Sequence, residues 1–167
     1  IKCGNSIVVL AHRAELTRGI PDEAFKTIPG DDKDVAAALR KQNKDERKGQ
    51  QALNFAGRVE EDLRALDEDY RAFDQTPENV VADYRTRRER YEHFRDNIRL
   101  RNLRLLADAQ VAQLYLPKTS ENLGKHVTHD TCSRWMKELN PTDPRIDAAT
   151  TIAQRKRFGH WFIEFWD

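Results

Sequence analysis

The chain has 167 residues, of which 34% are charged and 38% are hydrophobic, with only 7 glycines and 6 prolines. This composition favours helices over a strand-and-turn fold and is typical of one domain whose core is a narrow seam between helices. The formal net charge of +1 excludes a global field that attracts nucleic acid or membrane, so any such surface has to be local.

The first predicted element is a short β-like run at residues 1–10, followed by a loop that contains Gly19 and Pro21. Pro21 can open a short helical turn that runs through Phe25. After a second break at residues 29–30, Asp31 or Asp32 is expected to cap a helix that extends to about residue 75. The acidic cluster at 31–34 lacks the spacing of a calcium loop, so capping is its expected role.

A long helical hairpin is predicted for residues 31–117. The first helix has apolar residues at alternating steps of three and four, the spacing of a helical seam: Ala56, Val59, Leu63, Leu66, Tyr70 and Phe73. Thr76 is the predicted N-cap of the second helix and Pro77 its first residue. The second helix is expected to run without a break to Pro117, on the order of 60 Å. Its predicted apolar stripe comprises Val80, Tyr84, Tyr91, Phe94, Ile98, Leu105, Ala109, Ala112 and Leu116.

Shorter elements are predicted for residues 118–167: helices near 130–139 and 145–157, a break at 140–144, and an aromatic, strand-like tail at 160–167. The predicted fold class is therefore mainly α, a long antiparallel helical hairpin with shorter helices and short strand-like segments at both termini. Residues 1–30 form the strand-like start and loop, and the three parts belong to one domain. The start at Ile1 and the apolar end predict a segment excised from a longer protein.

The cellular location is predicted from cysteine content and hydropathy. Cys3 and Cys132 are too few for a disulfide scaffold and are typical of a reducing cytoplasm. No apolar run is long enough to cross a bilayer, and residues 1–10 lack the basic leader and cleavage site of a signal peptide. We therefore predict a cytoplasmic protein with no membrane partner.

An arginine-rich stretch lies in the second helix of the predicted hairpin. Between residues 85 and 104 it has eight arginines against three acids. On a helical wheel, one flank of the apolar stripe has the arginines that we predict to contact DNA: Arg85, Arg88, Arg95 and Arg99. The alternative is that these arginines solvate the helix flank and pair with the acids at 60–69 of the facing helix.

Candidate metal-ligating residues occur at His126, His129 and Cys132, but zinc sites usually have four ligands in recognisable pairs and no second pair follows. A role in the core is therefore the expected one, and we predict neither a metal nor a catalytic residue in this chain. Nucleotide-binding, nucleophile-elbow and zinc-protease motifs are also missing from the sequence. These observations favour an interaction or structural module over an independent enzyme.

Both ends of the chain resemble one family. The segments at 1–7, 19–25, 30–33 and 43–50, beginning Ile1-Lys-Cys-Gly-Asn, are similar to the central part of large S-adenosylmethionine-dependent adenine DNA methyltransferases of restriction-modification and phage-defence systems. Residues 157–165 resemble the family's F-H-W-x-x-E-F segment, and residues 103–116 are more loosely similar. The sequence departs from the family pattern at Gly159 and Phe162, so the resemblance is weaker towards the end of residues 157–165.

The resemblance implies a helical insertion between the cofactor-binding and catalytic halves of a Rossmann-like methyltransferase. Members of the family bind S-adenosylmethionine through D-P-x-x-G-x-G and attack adenine at N-P-P-[YW], and neither motif occurs here. The cofactor would therefore belong to the parent protein, with Asn5 at the position that contacts its adenine. In the isolated segment, the expected role of Gly4 and Asn5 is a turn.

Two functions from different classes follow. The first is a non-catalytic region of a DNA adenine methyltransferase, which grips DNA through the arginines or packs on the remainder of the parent. The second is a helical protein-interaction or self-association scaffold without a nucleic-acid role. A zinc enzyme using His126, His129 and Cys132 is a third alternative, and zinc analysis of the purified protein tests it.

Overall fold

The computed structural model describes residues 9–50 and 57–166, and within these ranges the chain is helical with no β-sheet. The predicted mainly α fold is confirmed. Two 3₁₀ helices occupy Asp22–Phe25 and Ser120–Lys125. The α-helices are α1 (Arg13–Thr17), α2 (Lys33–Gln50), α3 (Gly57–Asp74), α4 (Val81–Arg95), α5 (Ile98–Ala112), α6 (His129–Lys137), α7 (Pro144–Lys156) and α8 (Trp161–Glu164). None of the described helices combines the length and apolarity needed to span a bilayer.

Helix α5 lies at the centre of the fold and contacts α1, α3, α6 and α7. Its second half is buried on every side because apolar residues occupy most of the helix circumference. The polar residues there are hydrogen bonded: Gln110 donates to the Leu16 carbonyl at 2.7 Å, and Asp108 accepts from His160 at 3.0 Å. Burying these polar groups is tolerated because each has a partner.

The helices α3 and α4 lie on either side of the predicted hairpin turn, and they pack antiparallel. The Phe73 ring lies 5.4 Å from Tyr91, and the Tyr70 ring lies 5.4 Å from Phe94, so the pairing runs in opposite directions along the two helices. The apolar seam predicted for α3 is confirmed at its described positions, since Val59 and Leu66 are buried and Leu63, Tyr70 and Phe73 are half-buried. Ala56 lies outside the described residues.

The prediction that the second helix continues unbroken to Pro117 is wrong. α4 ends at Arg95, and α5 begins two residues after Asp96. Asn97 makes this break because its Oδ1 accepts from the Arg99 N–H at 2.8 Å while its Nδ2 donates to Asp69 of α3 at 2.9 Å. The predicted stripe is interrupted as a result, and three of its members are exposed: Val80, Tyr84 and Ile98.

The start of α4 also differs from the prediction, because neither Thr76 nor Pro77 opens it. The N-cap is Val80, and the Asp83 carboxylate accepts from the Asn79 and Val80 N–H groups at 3.0 and 3.1 Å. Thr76 instead donates its hydroxyl to a carbonyl of the last turn of α3. Thr76 therefore closes α3, and four residues of turn separate it from α4.

The predicted strand at 160–167 is wrong where the structure describes it, because Trp161–Glu164 is the short helix α8. His160 caps this segment from a fully buried position, and the Phe162 and Ile163 side chains turn into the core. Of the predicted strand-like start at 1–10, residues 1–8 lie outside the described part.

Helix α2 packs against both the 3₁₀ helix Asp22–Phe25 and α6. Asp32 caps α2, as predicted, because its Oδ1 accepts from the Asp34 and Val35 N–H groups at 2.8 and 3.2 Å. Gly19 brings the loop close to α6: its φ is +71°, and an added Cβ would lie 2.5 Å from the His129 ring. Both the left-handed backbone and the close approach require glycine at this position.

Candidate nucleic-acid interface

Three of the four predicted DNA-contacting arginines share the solvent face of α4. At 100° per residue, positions 85, 88 and 95 lie within about 80° of one another around the helix. Arg85 lies opposite Phe94 around the helix, and Arg88 and Arg95 lie about 120° and about 100° from it. Phe94 packs against α3 and is only 4% exposed. The Arg88 side chain is 79% exposed and the Arg95 side chain 59% exposed. This face therefore presents guanidinium groups to the solvent.

Two of these arginines form a hydrogen bond with an acidic residue nearby in the sequence. The Arg88 Nε donates to Glu92 at 2.9 Å, and the Arg95 Nε donates to Asp96 at 3.2 Å. These hydrogen bonds raise the pKa of Arg88 and of Arg95, so both stay cationic. Water screens exposed pairs of this kind, and a phosphate oxygen can take the place of the carboxylate. Arg85 forms no ion pair with any described residue.

The structure separates Arg99 from the other three. It lies in the first turn of α5, beyond the break, and its Nε donates to the Asp62 carboxylate of α3 at 3.1 Å. This contact is the pairing that we expected of an arginine that solvates the helix flank opposite the acids at 60–69. The row that the sequence placed on one helix is thus divided between α4 and α5.

Two further arginines of the rich stretch hold the hairpin turn together. Arg90 donates to the Ala72 carbonyl at 2.6 Å and to the Thr76 hydroxyl at 3.0 Å. Arg87 donates to the Thr76 carbonyl at 3.1 Å and lies over the Phe73 ring. Because these guanidinium groups satisfy carbonyls at the end of α3, their role is structural.

A second cationic surface lies on α2, where the sequence analysis assigned no function. A groove of about 790 Å³ runs between α2 and the 3₁₀ helix Asp22–Phe25. Four basic side chains line it, together with Thr27: Lys26, Arg40, Lys41 and Lys44. The spacing of the α2 members by three and four could have identified this face, because such positions lie on one side of a helix.

Two of the three residues considered as metal ligands are hydrogen bonded within the core, and the third packs against a loop. His126 Nδ1 lies 3.1 Å from Gln113 Oε1, and its Nε2 lies 3.3 Å from the Pro117 carbonyl. Cys132 is buried, which raises its pKa to about 12, and Gln110 donates to its Sγ at 3.4 Å. The His129 ring lies against Gly19, in the close approach described above. Within the described residues no group of three acids, histidines or cysteines is arranged to hold a metal ion.

His126 makes the stability of the fold pH-dependent. Burial, opposed by the Pro117 carbonyl, lowers the pKa of His126 from 6.5 to about 4, so the folded state favours the neutral ring. The unfolded chain binds the proton first, and we expect stability to be complete above about pH 6.5 and to fall by up to about 3 kcal/mol towards pH 4. Urea unfolding at several pH values measures this loss.

The variant His126→Gln tests the assignment, because it keeps a hydrogen-bonding side chain and removes the titrating group. We expect its stability to change less with pH across this window than that of the unchanged protein. His93→Gln is the matched control, since His93 is exposed, and it should leave the pH dependence as it was. Equal pH profiles for His126→Gln and the unchanged protein would contradict the role of His126.

His160 connects the segment before α1 with the segment that precedes α8. The ring is fully buried, its Nδ1 accepts from the Leu10 N–H at 3.1 Å, and its Nε2 donates to Asp108 Oδ1 at 3.0 Å. The Trp161 N–H in turn donates to the Leu10 carbonyl at 3.2 Å. Asn5, the residue placed by resemblance near a cofactor's adenine, lies outside the described residues.

A scan against protein-family models found no match, and searches of curated proteins and of solved structures found none either.

Proposed function

We propose that this chain is a non-catalytic helical region of an S-adenosylmethionine-dependent, adenine-specific DNA methyltransferase of a restriction-modification or phage-defence system, and that it acts in the cytoplasm. The observation that carries the proposal is the contact of Leu10 with His160 and Trp161. Leu10 and His160 are 150 residues apart in the sequence. A helical unit inserted into another domain needs such neighbouring ends, because the chain has to leave the host fold and return to it at nearly the same place.

The remainder of the parent methyltransferase is the principal partner in this proposal, and it supplies both the cofactor site and the catalytic motif. Determining the coding sequence on both sides of the chain tests this part. We expect D-P-x-x-G-x-G before residue 1 and N-P-P-[YW] after residue 167. A continuous reading frame that has neither motif would overturn the assignment to this family.

DNA is the second partner, contacted by the arginines of α4. We expect the chain to bind duplex DNA at low salt. The variant Arg85→Gln/Arg88→Gln/Arg95→Gln should have a weaker salt dependence, with a slope smaller by about 0.9 for each phosphate that it no longer neutralises. Fluorescence anisotropy of a labelled duplex over a series of KCl concentrations measures both quantities. Arg99→Gln is a separate variant, because Arg99 is paired with Asp62, and a smaller effect is expected for it.

The α4 variant needs a control with the same change in charge. Arg64→Gln/Lys125→Gln/Arg155→Gln removes three positive charges from exposed positions on other helices. We expect this control to bind DNA nearly as well as the unchanged protein. If both triple variants lose affinity equally, the contact is a net-charge effect and the role of α4 is wrong.

Self-association is a second candidate function, and the exposed end of the hairpin favours it. Val80, Val81 and Tyr84 are 57%, 81% and 56% exposed and lie next to one another at the start of α4. Exposed apolar clusters of this kind are typical of interaction surfaces. Light scattering at increasing protein concentration tests the idea, and Val81→Lys should abolish any dimer. A monomer at every concentration would exclude it.

A further inference from the structure

The cationic surface of α2 is continuous along the helix. At 100° per residue its five basic residues lie on one side of the helix, with Ala37 between them. We call this surface the α2 basic face, and its members are Lys33, Arg40, Lys41, Lys44 and Lys48. The neighbouring face is the one that the fold buries, through Ala36, Leu39 and Asn43. The basic face is therefore fixed in orientation by the core packing beside it.

In the ranges 9–50 and 57–166, none of the five cations of the α2 basic face forms an ion pair. The acid that lines the adjoining groove, Asp22, is already engaged, because Asn43 donates to it at 2.7 Å and Arg47 lies 3.5 Å away. Lys26 adds a further cation from the opposite wall. The groove thus holds a concentrated positive charge on a chain whose net charge is only +1.

The shape of the surface identifies the class of ligand. From Lys33 to Lys48 the face extends for about 22 Å at 1.5 Å per residue, which matches roughly six phosphates of one DNA strand at 3.4 Å each. A compact anion would contact only part of this length. The aromatic residue at the groove, Phe25, is 1% exposed and offers no platform on which a base could stack. Contacts to phosphates, without readout of bases, are what this surface can make.

We propose that the α2 basic face and the groove beside it bind the phosphodiester backbone of a nucleic acid, independently of base sequence. This inference deepens the proposed function, on which it rests for the choice of DNA as the polyanion. It adds a second contact surface, on a different helix from the arginines of α4. Arg40, Lys41 and Lys44 are the central members, because they lie both on the basic face and in the groove.

The test compares binding of a fluorescein-labelled random duplex of about 20 base pairs by the whole chain and by Arg40→Gln/Lys41→Gln/Lys44→Gln. We expect the α2 variant to bind about tenfold or more weakly at low salt, with a salt slope smaller by about 2 to 3. The control is the Arg64→Gln/Lys125→Gln/Arg155→Gln variant, which should bind as the unchanged protein does. Circular dichroism of every variant checks that the helical fold is kept.

The outcomes separate this inference from the function proposed above. If the α2 variant binds like the unchanged protein while the α4 variant is weakened, the inference is overturned and the α4 interface stands. The reverse result supports the α2 basic face and removes the role of α4. Absence of binding by the unchanged protein, even at low salt, overturns both. Displacement of the duplex by polyglutamate as readily as by unlabelled DNA would assign the face to acidic proteins and overturn the choice of nucleic acid.

Discussion

Replacing His160 by phenylalanine is expected to lower the free energy of unfolding by about 4 kcal/mol. Phenylalanine fills the fully buried site with a ring of similar size, so the loss comes from two hydrogen bonds and not from a cavity. Without the imidazole, the Asp108 carboxylate loses its 3.0 Å partner inside the core, and the Leu10 N–H loses its acceptor. The buried Asp108 carboxylate and the half-buried Leu10 N–H would both be left unsatisfied, which is costly.

Urea unfolding followed by circular dichroism measures this loss, and two further variants assign it. His93→Phe makes the same substitution at an exposed position and should change stability by no more than about 0.5 kcal/mol. Asp108→Asn keeps an oxygen that can accept from His160, and a cost of about 1 to 2 kcal/mol is expected. Because Leu10 is held by the same ring, its amide should also exchange hydrogen faster in His160→Phe.

A different result would be informative as well. If His160→Phe unfolds at the same urea concentration as the unchanged protein, the buried hydrogen bonds at this position contribute nothing to stability. The segments around Leu10 and His160 would then be held together by packing alone. The double variant His160→Phe/Asp108→Leu separates the cost of the unpaired Asp108 carboxylate from the cost of the unpaired Leu10 N–H. It removes the carboxylate, so it should recover part of the lost free energy of unfolding.

Much of the helical architecture could be predicted because its signals are local. The helix predicted at 145–157 is α7, which begins one residue earlier, at Pro144, with Asp143 as its N-cap. The seam of α3 could be predicted for the same reason, and every described member of it is buried or half-buried. In these elements the residues that decide the structure are within a few positions of one another.

The wrong start of α4 is also local, because Asp83 caps Asn79 and Val80. Two other errors have the opposite character, because each depends on a partner distant in sequence. The break between α4 and α5 is held by Asn97 bonded to Asp69, and neither residue alone forbids a continuous helix. The tail from 160 reads as a strand by its aromatic content, yet the bond from His160 to Asp108, 52 residues away, fixes its start and a helical turn buries its side chains. Tertiary contacts decide such segments over local propensity.

The candidate interface was predicted in part. The exposure of Arg85, Arg88 and Arg95 follows from the periodicity of α4, which a sequence shows directly. The α2 basic face follows from the same kind of spacing, but its importance depends on the groove and on the engagement of Asp22 by α2 side chains. A charge pattern alone does not show which cations remain unpaired in the fold.

Replacing Asp31 by alanine is the second large expected effect, with a loss of about 3 to 5 kcal/mol in the free energy of unfolding. The Asp31 and Lys118 side chains are each 1% exposed, and Oδ2 lies 3.5 Å from Nζ. Nζ makes no hydrogen bond with any described residue, so the carboxylate is its main electrostatic partner. Asp31 also accepts from the Ile28 and Lys118 N–H groups at 3.0 Å each, and both would lose their acceptor.

Removing Asp31 and removing Lys118 are expected to have different costs, so comparing Asp31→Ala with Lys118→Met is a sharper test than either variant alone. Burial by itself would raise the pKa of Asp31, but the Ile28 and Lys118 N–H groups and the Lys118 ammonium outweigh it, so the pKa lies below 3.8. In Lys118→Met the carboxylate keeps both N–H donors, whereas in Asp31→Ala the ammonium loses the carboxylate that lies 3.5 Å from it. We therefore expect Lys118→Met to cost less than Asp31→Ala. Asp32→Ala, which removes a helix cap, should cost only about 1 kcal/mol.

The acid side of the stability profile tests the Asp31 carboxylate directly. Because the pKa of Asp31 is lowered, its contribution to stability is present above pH 3.8 and is lost as the pH falls further. Asp31→Ala lacks this carboxylate, so its stability should fall less than that of the unchanged protein or of Asp32→Ala as the pH is lowered below 3.8. Urea unfolding at several pH values measures the three profiles. Parallel profiles for all three would show that the ionised Asp31 carboxylate does not stabilise the fold.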